Sequence, residues 1–186
     1  MSDRHPVGLG TDLDRRRALR LAVAGAGLAL AGGAHAQTPP ASEAQAPPVP
    51  PLGSRLQVPE LTLLDGRPWR QADAAGRVLV LYWWASWCPF CAVQSPLMDK
   101  LWREHAARGL AFVGLSIDRK PEDAVAYLQR RGYAFPSAWV TPAVQRALPK
   151  PKGLPVTVVL GRDGRVAMSE AGQLFPEDIE GIAQFL

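Results

Sequence analysis

The sequence is poor in the residues that build metal centres and disulfide frameworks. Its 186 residues include two cysteines and three histidines. Two cysteines cannot form the several bridges that staple a small secreted domain. They also fall short of the roughly four ligands of a structural zinc site. His5 and His35 lie within the first 36 residues, leaving His105 as the one imidazole beyond them. No internal repeat is visible. The apolar stretch near the N-terminus, LAVAGAGLALA over residues 21–31, is short for a membrane-spanning helix. The charge is also unremarkable. The total is 21 Lys and Arg against 17 Asp and Glu. Five of the former and three of the latter fall in residues 1–36, so the remaining 150 residues carry a net +2. That gives no reason to expect nucleic acid as a partner.

The N-terminus carries a leader pattern. Arg15-Arg16-Arg17-Ala18-Leu19-Arg20 forms a basic region, residues 21–31 an apolar one, and Ala34-His35-Ala36 offers small residues where a signal peptidase reads. Residues 1–36 are read as a signal peptide. Arg15 and Arg16 resemble a twin-arginine pair, although Asp14 and Ala18 depart from its commonest residues. Ordinary Sec export and an uncleaved membrane anchor stay open. Residues 37–54 begin QTPPASEAQAPPVPP and read as a Pro- and Ala-rich extended linker. Residues 55–186 read as one folded domain.

The chemistry is concentrated in residues 78–108. Val78 to Trp84 has no polar interruption other than the Tyr82 hydroxyl and reads as a strand buried on both faces. After Ala85-Ser86-Trp87, the motif Cys88-Pro89-Phe90-Cys91 opens a helical pattern. Leu97 with Leu101, and Met98 with Trp102, recur at four-residue spacing. Cys88 then sits at a helix N-terminus, where unpaired N–H groups and the helix dipole favour a thiolate. A thiolate is the nucleophile of disulfide exchange. Pro89 suits the first turn. Cys91 lies one turn deeper and can resolve a mixed disulfide on Cys88. A purely structural bridge would close so short a loop that it removes little unfolded-state entropy. Two inert buried cysteines are the other bland reading.

Around this centre the elements alternate. Leu61 to Leu64 and Arg67 to Trp69 flank the Asp65-Gly66 turn and read as a short hairpin. Residues 70–76 read as a helical turn ended by Gly76. Gly109 stops the cysteine helix. A second buried strand is expected over residues 111–117, a helix over Pro121–Arg131 and a short strand over residues 135–140. Ala124, Val125 and Leu128 form that helix's apolar side. Thr141 caps a short helix that begins at Pro142. Val156–Leu160 is a strand, Asp163-Gly164 a hairpin turn and residues 166–169 the return. Pro176 opens the last helix, whose buried stripe is Ile179, Ile182, Ala183 and Leu186.

Trp87-Cys88-Pro89-Phe90-Cys91, with Pro96 five residues on, resembles the active site of the thioredoxin superfamily. The longer pattern is similar to its exported TlpA/ResA-like disulfide reductase branch, over roughly residues 55–186. The resemblance implies an α/β thioredoxin-like fold, with a central mixed sheet flanked by helices. It also implies the N-terminal hairpin and an inserted helix–strand unit, here residues 118–140. Gly153-Leu154-Pro155-Val156-Thr157 resembles the family's cis-proline loop, which faces the cysteines. X-Pro is the bond that adopts cis cheaply, although an ordinary trans loop proline remains an alternative. The resemblance makes Trp87, Pro89, Phe90, Leu154 and Pro155 substrate-binding residues, with Trp84 and Trp87 shielding the disulfide. Two departures stand out. Thioredoxins place a buried Asp six residues before the first cysteine, and here it is Tyr82. ResA-like proteins place a Glu three residues after the second, and here it is Gln94. Neither is a good base near neutrality. Glu60, Glu104 or water are the remaining candidates.

The expected function is that of a periplasmic thiol-disulfide oxidoreductase, most simply a protein disulfide reductase. Cys88 is the nucleophile and Cys91 the resolving thiol. There is no cofactor beyond the redox-active pair and no metal. The partners implied are protein disulfide substrates, such as apocytochrome c or copper-site proteins, and a membrane electron donor. The chain is expected to act as a monomer. The alternatives are an oxidase or isomerase run in reverse, and a copper chaperone needing further soft or imidazole ligands. A peroxidase would need Thr-x-x-Cys, and Ala85 stands at that threonine position.

Overall fold

The computed structural model describes residues 45–186. The expected signal peptide, residues 1–36, and the first part of the expected linker lie outside the described residues. Among the described residues, no helix is long and apolar enough to cross a membrane.

The elements, in order, are β1 (Leu61–Thr62), β2 (Pro68–Trp69), β3 (Val78–Trp84), α1 (Pro89–His105), β4 (Leu110–Ser116), α2 (Pro121–Arg131), β5 (Ser137–Trp139), α3 (Pro142–Ala147), β6 (Val156–Leu160), β7 (Val166–Ala171) and α4 (Pro176–Gly181). β1 and β2 form the expected antiparallel hairpin. The main sheet runs β5-β4-β3-β6-β7. β3 pairs parallel with β4 and antiparallel with β6. This is the mixed sheet flanked by helices that the resemblance implies.

β3 lies at the centre of the sheet, and every one of its residues is buried. Side chains alternate between faces along a strand. Leu79, Leu81 and Trp83 therefore join one core cluster with the hairpin's Leu61, Leu63 and Trp69 and with Val144 of α3. Val78, Val80, Tyr82 and Trp84 join the other, with Met98 and Leu101 of α1, Ala124 and Tyr127 of α2 and Ile179 of α4. Each fully buried aliphatic side chain contributes about 1.5–3 kcal/mol, before the loss of its conformational freedom.

Several boundaries differ from the sequence reading. β4 begins at Leu110, one residue early, because Leu110 pairs with Val78 directly after the left-handed Gly109. β5 is only Ser137–Trp139; the preceding Pro136 has no N–H to give to a ladder. The last helix gives way after Gly181 to a 3₁₀ turn at Ile182–Phe185, so Ile179 and Ile182 are buried while Ala183 and Leu186 are only partly covered. On α2, Tyr127 is buried where Val125 and Leu128 are half-buried.

The linker shows a larger difference. Its end is extended but not free. The Lys152 N–H donates to the Pro47 carbonyl at 2.8 Å, the Gly53 N–H to Val166 at 2.7 Å, and the Val166 N–H to Ser54 at 2.9 Å. Val49 packs against the core. Prolines have few conformations to lose, so docking this stretch costs little entropy.

Candidate active site

β3 delivers the chain to the turn Ala85-Ser86-Trp87. That turn is pinned from the residues that follow β4. The buried Asp118 carboxylate accepts from the Ser86 N–H at 3.1 and 3.2 Å, from the Ser86 hydroxyl at 2.7 Å and from the Ser116 hydroxyl at 2.8 Å. The Asp118 carbonyl in turn accepts from the Trp139 indole at 2.7 Å. Nothing in the local sequence pattern singled out Asp118. Its pairing with Ser86 spans 32 positions.

Cys88 caps α1, and Pro89 is its first residue. The Cys91 N–H donates to the Cys88 sulfur at 3.1 Å. This is the N-cap bond that a side-chain oxygen makes in most helices, here offered to sulfur. Cys88 and Cys91 are disulfide-bonded, with Cα atoms 5.2 Å apart. Cys88 is 3% exposed and Cys91 is 0% exposed. Both are buried, Cys91 completely, and a reduced Cys88 stands at the helix N-terminus, the position that favours a thiolate. Around it stand apolar side chains in water: Trp87 is 63% exposed and Phe90 58%. Pro89 is also exposed.

The second wall comes from the loop before β6. The Leu154–Pro155 bond is cis. Pro155 is buried, and half-buried Leu154 packs on the cluster that contains both cysteines. Lys150, also buried, supports this loop. Its ammonium donates to the carbonyls of Pro151 and Gly153, each at 2.7 Å. An open groove of about 660 Å³ runs from Phe90 past Leu154 to Phe175.

Trp84 lies in the same buried cluster as both cysteines. It is fully buried, with its ring 5.5 Å from Tyr127 and edge-on to Phe135 at 6.1 Å. It belongs to the core, and Trp87 alone of the two stands at the rim.

The two positions that depart from the family pattern are both buried and both paired. The Gln94 amide donates to the Thr157 hydroxyl at 3.0 Å and accepts from the Leu174 N–H at 2.7 Å. One side chain thus ties α1 to β6, two residues beyond the cis-proline, and to the approach to α4. The Tyr82 hydroxyl pairs with Ser95 at 3.1 Å. Burial pushes its pKa far above the ordinary phenol value, so it accepts no proton at neutral pH. The other candidate bases are remote or engaged. Glu104 lies 13 residues beyond Cys91 on the same helix, roughly 20 Å along its axis. Glu60 is exposed and pairs with Arg70 at 3.5 Å. His105 is half-buried at the far end of α1.

Residues 54–169 match the family described as the AhpC/TSA family. A thiol-disulfide oxidoreductase ResA of Bacillus thuringiensis (strain Al Hakam) is 24% identical over 121 residues, covering 65% of this chain and 70% of that one. The ResA of Geobacillus thermodenitrificans (strain NG80-2) is 25% identical over 123 residues, covering 64% and 69%. The crystal structure of a thiol:disulfide interchange protein of the thioredoxin family from Chlorobium tepidum TLS superposes with a TM-score of 0.66 at 24% identity, over 73% of this chain and 97% of that one. That likeness shows the fold. With more than half of its length matched, the chain belongs to the AhpC/TSA family, as a thioredoxin-like thiol-disulfide oxidoreductase with Cys88 and Cys91 at disulfide distance.

Proposed function

We propose that the chain is an exported protein disulfide reductase working in the periplasm. The observation that carries this reading is the N-cap position of Cys88, whose sulfur accepts the Cys91 N–H. In the first half-reaction the Cys88 thiolate attacks one sulfur of a substrate disulfide. That S–S bond breaks, a mixed disulfide forms, and the first substrate sulfur leaves as a thiolate. In the second, Cys91 loses its proton and attacks the Cys88 sulfur. The mixed disulfide breaks, the second substrate thiolate leaves, and the Cys88–Cys91 bond forms. The substrate gains two electrons and the pair loses two. A membrane electron donor then returns two electrons, and one proton is taken up to restore the Cys88 thiolate and the Cys91 thiol.

Trp87, Pro89, Phe90, Leu154 and Pro155 form the substrate surface. With Tyr82 and Gln94 where related proteins carry acids, water or the departing substrate thiolate accepts the Cys91 proton. Apocytochrome c and copper-site proteins are the substrate classes this reading favours.

Neither Pro89 nor Phe90 carries a charge that would over-stabilise the thiolate, so the dithiol is the better electron donor. Dithiol proteins span from about −270 mV, reducing, to about −120 mV, oxidising. Equilibration of the pair in a dithiothreitol or glutathione buffer is expected to place it toward the reducing end. A potential near the oxidising end would make the protein an oxidase. Tight stoichiometric Cu(I) without reductase activity would make it a copper chaperone.

A further inference from the structure

The Pro-rich stretch before the domain is tied at two points on the same side of the fold. Pro47 accepts from Lys152 in the cis-proline loop, and Gly53 and Ser54 pair with Val166 at the start of β7. Between them run Pro47-Pro48-Val49-Pro50-Pro51, in which only Val49 has an N–H. Proline fixes φ, so this stretch is a stiff extended rod. Its position has a chemical consequence. Pro48 and Val49 line the groove that Phe90, Leu154 and Phe175 also line. Phe90 stands between the two cysteines in sequence. Phe175 is 68% exposed at the groove's other side, and Lys152 is the one charged residue along it. A groove of about 660 Å³ is large enough for a bulky side chain with its backbone. Two aromatic rings held in water beside a reactive disulfide gain by covering apolar surface.

We infer that residues 47–49 are a wall of the substrate groove, and that the groove selects a large apolar side chain close to the target cysteine of an extended polypeptide. The inference rests on the reductase reading for the identity of its ligand. It adds a specificity element from outside the thioredoxin-like core. The occupant is a polypeptide in extended form, because the groove is open along its length and is lined by Phe90, the residue next to Cys91.

The test uses the full chain and two short peptides that differ at one position near the cysteine, Phe in one and Ser in the other. In the first arm the cysteine is replaced by Ser, and equilibrium binding to the oxidised protein is followed by titration calorimetry or amide shifts. In the second arm the same peptides, as disulfides, are substrates. The Phe peptide is expected to bind roughly tenfold tighter, the scale of discrimination by an apolar pocket. Pro48→Asp places a charge on an exposed wall position and leaves no cavity in the core. Val49→Ser removes apolar surface. Each is expected to lower the Phe-to-Ser preference severalfold in both arms, through KM in the second, with the thermal midpoint reported alongside. An unaltered preference in both variants would overturn the inference. Loss of the preference in the binding arm, with no peptide disulfide reduced even by the parent chain, would uphold the groove and overturn the reductase reading.

Discussion

The two faces of the central sheet are built from different materials. The face under the hairpin and α3 is almost wholly aliphatic, with Leu79, Leu81, Val113, Leu115, Val156, Val158 and Leu160 in contact and Trp83 and Trp69 as its indoles. The face under α1, α2 and α4 holds both cysteines, an aromatic group of Tyr82, Trp84, Phe112, Tyr127 and Phe135, and buried polar side chains. Gln94, Ser95, Asp99 and Thr157 are buried there, and each has a partner. Aliphatic packing is non-directional and serves stability. Hydrogen bonds specify geometry, and an unpaired buried group is costly. One face therefore holds the sheet together, and the other holds the disulfide in place.

The sharpest way to separate the faces is at the sulfur. Cys88→Ser is expected to cut turnover of a protein disulfide by about a thousandfold or more, as loss of a nucleophile does. Cys91→Ser is expected to stall after the first half-reaction and accumulate the mixed disulfide on Cys88. Intact-mass analysis of quenched reactions reads both. A mixed disulfide on Cys91 in the Cys88→Ser protein would reverse the assigned roles.

On the opposite face, Leu81→Ala removes a fully buried side chain from the middle of β3. Cavities of this kind cost about 2–5 kcal/mol. Denaturant unfolding should show that loss, while kcat/KM per folded molecule stays that of the parent. A drop in kcat/KM at full folding would break the division of labour between the faces.

How much of this was legible in the sequence depends on the range of each pattern. β3, α2 and β6 were legible residue for residue, because an unbroken apolar run or a capped amphipathic helix is a local signal. So was Cys88 at the start of α1, since Pro89 marks a first turn. The polar pairings were not. Gln94 meets Thr157 at 63 positions' separation and Leu174 at 80. Asp99 accepts from the Ala134 and Phe135 N–H groups, 35 and 36 positions away. Such pairs follow no period, and a glutamine or aspartate in an amphipathic helix reads as a solvent-facing residue. The docking of Pro47 on Lys152 was hidden for a related reason: a Pro-rich stretch with no apolar period looks like a free linker until its backbone partner is seen.

Gln94 tests the polar side of the comparison directly. Gln94→Ala strands the Leu174 N–H and the Thr157 hydroxyl in the interior. Leaving a buried donor unpaired costs about 1–3 kcal/mol. Gln94→Met keeps the volume and loses the same two bonds, so a matching loss would assign the effect to hydrogen bonding and not to a cavity. Because Thr157 follows the cis-proline by two residues, kcat/KM should fall together with stability, unlike in Leu81→Ala. Full activity in Gln94→Met would show that the bonds are structural only.

The smallest effect at neutral pH, and the most selective, belongs to the tyrosines. The chain has three, Tyr82, Tyr127 and Tyr133, and all of them contact the disulfide face. Tyr82→Phe removes one neutral hydrogen bond to Ser95, worth about 1 kcal/mol. Its larger signature is in alkali. The folded protein holds the Tyr82 phenol in its neutral form, because burial raises its pKa above the value near 10 of an unfolded chain. The unfolded state therefore releases this proton first. The stabilisation is complete below about pH 10 and is lost as pH rises from there toward the folded-state value. Burial also raises Tyr133, which is more open, so it adds a slope of the same sign. Urea unfolding between pH 8 and 11 should show stability falling with pH in the parent chain and falling less steeply in Tyr82→Phe, with Tyr133 among the sources of the remainder. A slope identical in both proteins would mean that Tyr82 meets water in the folded state, and that the face holding the disulfide is wetter than its burial implies.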